Sequence, residues 1–119
     1  MADEKDWEFI NGLQGLGVNR NVAKLITYLK EVEEVSSRDI EMAMDLRQPE
    51  ISIAMRTLRS MEWLSERDVK GSGKGRPTKI YALRPTIEEI IEHFVAEKNQ
   101  ESAKTVEAIQ RLKELSPAL

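Results

Sequence analysis

MDLRQPEISIAMRTLRS, residues 44–60, is rich in helix-forming residues, carries a proline at position 49 and holds Arg47, Arg56 and Arg59. It does so in an acidic chain, with 21 Asp and Glu against 18 Lys and Arg and a formal net charge of −3. Whether Pro49 breaks a helix or starts one decides how the whole chain is read. Just before it, SSRDIEMAM places Ile40, Ala43 and Met44 on one side of a helix opened by Ser36 or Ser37. Only Asp45, Leu46 and Arg47 are left to join two helices. A link that short forces a steep crossing, the helix-turn-helix arrangement. With Gln48 as cap and Pro49 as first helical residue, the missing N–H is harmless and the fixed φ favours initiation. Pro49 starts a helix.

Working outward, WEFINGL (residues 7–13) suits a short amphipathic helix, and Gly12, Gly15 and Gly17 loosen the chain after it. Asn19 or Asn21 can cap the next helix, with Val22, Leu25, Ile26 and Leu29 on one face. A short turn at Val35 leads to the Ser36/Ser37 helix. Beyond Met61 the period changes. SERDVK and TKIYALR read as two strands around a glycine-rich tip, GSGKGRP, making a hairpin with its wing at about residues 70–79. Pro85 ends it. Thr86 with Glu89 forms a capping box for a last helix, where Ile87, Ile90, Ile91, Phe94 and Val95 make an apolar stripe. After the polar interval EKNQES, Val106, Ile109, Leu112 and Leu115 resume the pattern. One long helix is expected in preference to two meeting at a bend.

Composition narrows the function. With 40% hydrophobic and 33% charged residues over 119 positions, the chain is a globular domain with a modest core, not a disordered one. No run approaches 18 apolar residues, and the acidic start MADEKDWEF is unlike a signal peptide, so a cytoplasmic location is expected. The absence of cysteine excludes disulfides and thiolate metal sites. His93 is the sole histidine and stands in a helical run without a catalytic partner, so it reads as a partly exposed helix residue. No enzyme, no metal and no cofactor are expected. GSGKGRP falls short of a phosphate loop, since Asp68 stands where the first glycine would be and Gly75 follows the lysine.

Helices, a hairpin and a terminal helix in this order resemble the winged helix-turn-helix domain of prokaryotic transcription regulators. Residues 35–67, VSSRDIEMAMDLRQPEISIAMRTLRSMEWLSER, look like that family's capped helix, turn, recognition helix and first wing strand. QPEISIAMRTL is similar to the recognition helix of the ArsR and MarR groups, whereas LGVNRNVAKLITYL and GRPTKIYALRP look more like the TrmB-type regulators. The resemblance covers about residues 10 to 95. It implies a mostly helical fold with a small β-hairpin: an N-terminal helical arm (1–18), a winged helix-turn-helix domain (19–85) and a C-terminal dimerisation helix (86–119). Asp45 and Glu62 depart from it, standing at turn positions where glycine is common in the family. Metal-sensing ArsR members use cysteines or histidine clusters, and this chain has neither, so metal sensing is not expected.

The charge distribution points the same way independently. Residues 47–84 hold 9 basic and 4 acidic side chains, while both flanking segments are net acidic. The local field, not the overall charge, governs docking on phosphates. Projected at about 100° per residue, Ile51, Met55 and Leu58, with Ala54 beside them, form the buried side of a recognition helix at about 49–60. Pro49, Ile53, Arg56 and Ser60, flanked by Ser52, point away. Ile53 would suit a thymine methyl, and Arg56 a guanine edge or a phosphate. Gln48 and Ser52 lie near the helix start, where free N–H groups favour a phosphate. Lys74 and Arg76 at the wing tip would reach the backbone or minor groove. The plainer readings are an ordinary surface isoleucine, a solvated arginine and a solvated loop. Arg59 lies toward the core edge and is left out of the interface.

Double-stranded DNA is thus the expected partner, with a winged-helix protein-interaction module that binds no DNA as the alternative. Ile91, Phe94, Val106, Ile109, Leu112 and Leu115 are expected to form a homodimer seam along the last helix. Folding of that seam back on Trp7 and Ile10 is the competing arrangement. A dimer would set two recognition helices about 34 Å apart, one turn of DNA.

Overall fold

The computed structural model describes residues 3–70, 75 and 77–116. In chain order these form α1 (Glu4–Gly15), α2 (Arg20–Leu29), β1 (Val35–Ser36), α3 (Ser37–Met44), α4 (Gln48–Ser60), β2 (Leu64–Val69), β3 (Thr78–Leu83) and α5 (Ile87–Leu115). The sheet is antiparallel in the order β1-β3-β2. The architecture is mostly helical with a small three-stranded sheet, a winged helix-turn-helix.

Local chemistry sets each helix start. Asn19 Oδ1 accepts from the N–H groups of Asn21 (2.9 Å) and Val22 (3.3 Å) and so caps α2. Ser36 and Asp39 form a capping box at α3, and Thr86 and Glu89 form another at α5. At α4 the cap lies one residue earlier than the sequence suggests. Arg47 is the N-cap, and its N–H donates to Glu50 Oε1 at 2.9 Å. Gln48 is therefore the first helical residue, not the cap, and Pro49 the second. Pro49 still falls where no intrahelical acceptor is available, so it removes no hydrogen bond.

The link between α3 and α4 is Asp45-Leu46-Arg47. Asp45 takes a left-handed conformation (φ 52°), which reverses the chain, and Leu46 is buried as a plug beneath it. Helix ends use the same device. At the end of α1, Gly17 (φ 95°) allows Gly17 N–H to reach Gln14 O and Val18 N–H to reach Leu13 O. At the end of α4, Glu62 (φ 61°) does the same, with Glu62 N–H on Arg59 O and Trp63 N–H on Leu58 O. Both are Schellman ends, one built on glycine and one on glutamate.

The core gathers Ile10 and Leu13 from α1, Leu25, Ile26 and Leu29 from α2, Ile40 and Met44 from α3, Ile51 and Leu58 from α4, and Ile90 and Phe94 from α5. Helix α1 thus shares the core of the winged domain through Ile10, which is fully buried. Burying side chains of this size is worth about 1.5–3 kcal/mol each relative to leaving them exposed. The sequence reading missed β1. Two residues, Val35 and Ser36, pair with Tyr81 and Ile80 of β3, and so few residues carry no strand periodicity.

Helix α5 is a single 29-residue helix. Its root is clamped by Trp63, whose ring meets His93 and Phe94 edge-on at centroid distances of 5.0 and 5.4 Å. His93 lies partly exposed there, 3.2 Å from Glu97. Beyond the root the helix leaves the body of the molecule, which extends 75 Å along its longest axis and 29 Å across.

Candidate nucleic-acid interface

Helix α4 buries Ile51, Ala54, Met55 and Leu58, the side expected from its periodicity, and leaves the opposite side open. Gln48, Pro49, Ser52, Ile53, Arg56 and Ser60 are all exposed, with Ile53 at 62%. The exposed side is a ridge with two unlike flanks. Gln48, Ser52 and Arg56, joined by Arg59, Ser37 and Tyr81, line a polar hollow of about 180 Å³ facing the sheet. Ile53, Thr57 and Ser60 line a wider hollow of about 450 Å³ toward the α1–α2 turn and the root of α5, together with Val18, Val22 and Phe94. Ile53 and Arg56 therefore address different neighbours, although the helical projection grouped them. Ser37 and Tyr81 were missed, because only the packing of α3 and β3 beside α4 brings them there.

The charges divide into paired and open ones. Arg59 donates from Nε and Nη2 to the Glu66 carboxylate at 2.9 and 2.7 Å. This bidentate contact holds Glu66 below the usual carboxylate range and ties α4 to β2. Arg67 of β2 grips Glu34, in the turn before β1, with Nη2–Oε1 at 2.7 Å and a second, Nε contact. Its guanidinium likewise lowers the Glu34 carboxyl. Both arginines are occupied in bracing the wing base. Arg59, left out of the expected interface because it lies toward the core edge, is engaged by Glu66, and Arg67 contributes less to the open positive field than its formal charge suggests. Arg47, Arg56, Lys70, Lys79 and Arg84 are exposed and form no ion pair among the described residues.

Lys74 and Arg76, the expected wing-tip contacts, lie outside the described residues. The strands that carry the tip are in place. Leu64 pairs with Leu83 and Val69 with Thr78, so the two strands stay in register along their whole length. Arg84 N–H donates to Trp63 O at 2.8 Å, which anchors the hairpin's return to the root of α5.

Of the expected dimer-seam residues, Phe94 is buried in the chain's own core, because the Trp63 ring covers it. It cannot serve as an exposed contact, which corrects that part of the seam. Ile91 is half-buried, and Val106, Ile109, Leu112 and Leu115 are 48–65% exposed. They do not fold back on Trp7 and Ile10. Among the described residues, no group of three or more His, Cys, Asp or Glu side chains could hold a metal ion, and no helix is long and apolar enough to cross a membrane.

No family model matches the chain, and no curated protein matches it in sequence. Solved structures do match in fold. A transcriptional regulator superposes with a TM-score of 0.53 at 19% identity, covering 97% of this chain and 76% of its own. The YusO protein of Bacillus subtilis gives 0.50 at 16% identity over 98% and 87%. The circadian clock associated protein Pex from Anabaena gives 0.51 at 14% identity over 72% and 80%. At these identities the likeness is one of fold.

Proposed function

We propose that the chain is a sequence-specific double-stranded DNA-binding transcription regulator acting as a homodimer. Helix α4 enters the major groove and the wing lies on the backbone or in the minor groove. The observation that carries this reading is the open ridge of α4, with its polar hollow beside the sheet, together with the exposed cations Arg47 and Arg56 at α4 and Lys70, Lys79 and Arg84 on and beside the wing strands. Gln48, Ser52 and Arg56 hold hydrogen-bonding groups on the flank nearest the sheet, where a phosphate strand would pass. Ile53, on the ridge's other flank, offers an apolar contact to a thymine methyl. Lys74 and Arg76, in the wing sequence between β2 and β3, would add contacts to the backbone or minor groove. That one similar fold belongs to a transcriptional regulator agrees with this assignment.

Gel shifts at low salt with random and selected duplexes test it. Binding is expected, and log K should fall linearly with log salt as phosphate contacts are screened. A chain that bound no duplex at any salt would move the assignment to a winged-helix protein-interaction module.

A further inference from the structure

We infer that the dimer partner is a second copy of α5 laid antiparallel, with the two-fold axis beside Ser102, so that the free end of each helix rests on the root of the other. This deepens the homodimer reading and rests on it. Three observations carry it.

The first is the helix itself. Every described residue from 95 to 116 is exposed, so roughly 28 Å of α5 projects beyond Glu97 without packing against another described element. An isolated helix of that length is marginal in water and gains its stability from a packed face. The second is the pattern along that length. Apolar residues occupy the root (Ile91, Val95) and the free end (Val106, Ile109, Leu112), separated by the polar stretch from Glu97 to Thr105. Because 18 residues make five turns, Ile109 lies on the same line of the helix as Ile91, and the line between them runs through Val95, Lys98 and Ser102. The root's other side is taken up by Phe94 and Ile90 inside the domain, which leaves Ile91 and Val95 as its open apolar side. A parallel pair would set root on root and free end on free end. An antiparallel pair sets the apolar end of each copy on the apolar root of the other, with Val95 level with the partner's Ile109 and the small Ser102 at the axis.

The third is charge. Antiparallel helices bring like flanks together. Lys113 lies on the flank that carries Glu88 and Glu92 at the root, and the Ser102 axis places it level with those carboxylates of the partner. In a parallel pair Lys113 would face the flank carrying Ala108 and Leu112, which offers no carboxylate at that level.

The lack of cysteine makes the register directly testable. Full-length Val95→Cys and Ile109→Cys proteins, each checked for helicity by circular dichroism and for mass by light scattering, are mixed, exchanged and oxidised. A disulfide-linked heterodimer is expected from the mixture and little linkage from either alone. Efficient self-linkage of Ile109→Cys would show a parallel pair, and a dimer that links in no combination would place the interface elsewhere. Either result overturns the inference while the homodimer stands. A monomeric wild-type protein at micromolar concentration would sink the homodimer reading itself. As a second arm, Lys113→Glu should weaken dimerisation roughly tenfold, and adding Glu92→Lys should restore it. Rescue would not occur if the two flanks never met.

Discussion

Glu62 and Gly17 occupy equivalent places at two helix ends, yet only one is a glycine. A glutamate at φ 61° brings its Cβ close to the following carbonyl, a strain of about 1–2 kcal/mol. Glycine removes that strain but gives freedom back to the unfolded chain. Glu62→Gly is therefore expected to stabilise the protein by about 0.5–1 kcal/mol, read as a rise in thermal midpoint. Asp45→Gly should gain less, because a short acidic side chain tolerates the left-handed region better. At this scale the resemblance located the right positions, since both residues that depart from the family's glycine habit sit at positive φ. Arg56 and Arg59 part in the same way. Arg59 is spent on Glu66, so Arg56→Ala should reduce preference among DNA sequences by roughly 1–3 kcal/mol, and Arg59→Ala should leave that preference nearly unchanged. Competition binding with matched and mismatched duplexes would separate them.

Among elements, the wing is braced from two sides. Arg59 of α4 holds Glu66 of β2, and Glu34 before β1 holds Arg67 of β2. Both carboxyls sit below their ordinary range because a guanidinium donates to them. A carboxyl lowered in the folded state contributes stability at pH values above its unfolded value, and that contribution disappears as pH falls through the lowered folded value. The bracing is thus complete at neutral pH and lost on acidification past the glutamate range. Thermal midpoints followed from pH 7 to pH 3 should fall less steeply for Glu34→Gln/Glu66→Gln than for the natural chain, and exposure of both pairs keeps the difference small. Thr86 matters to the next element, since its hydroxyl accepts from Glu89 N–H at 3.2 Å where α5 begins. Thr86→Ala should cost about 1 kcal/mol in chemical denaturation.

For the whole molecule, shape governs behaviour. The projecting half of α5 has no packing partner among the described residues, so its helicity is expected to depend on association. Far-ultraviolet circular dichroism on dilution through the dimer dissociation range should show a concentration-dependent loss of helix. A chain ending at Asn99 should be monomeric and show no such dependence. Were the full-length signal unchanged down to concentrations where light scattering reports monomer, α5 would be held by something other than pairing.

Much of this was legible in the residues. Ser36, Thr86 and Asn19 announce helix starts because a side-chain oxygen can satisfy N–H groups within three residues, a purely local matter. The buried side of α4 followed from periodicity, and the open cations followed from segment charge. Tertiary packing decided what distance along the chain conceals. It drew Val35 and Ser36 into the sheet through Tyr81 and Ile80, some 45 residues away. It brought Ser37 and Tyr81 to the ridge of α4, and set Ile53 and Arg56 on separate flanks. It also placed Trp63 over Phe94, turning an expected interface residue into core. Local hydrogen bonding and periodicity act within a few residues and can be read in order. Which surfaces meet is chosen only when apolar faces from distant segments are buried together, and no single segment carries that information.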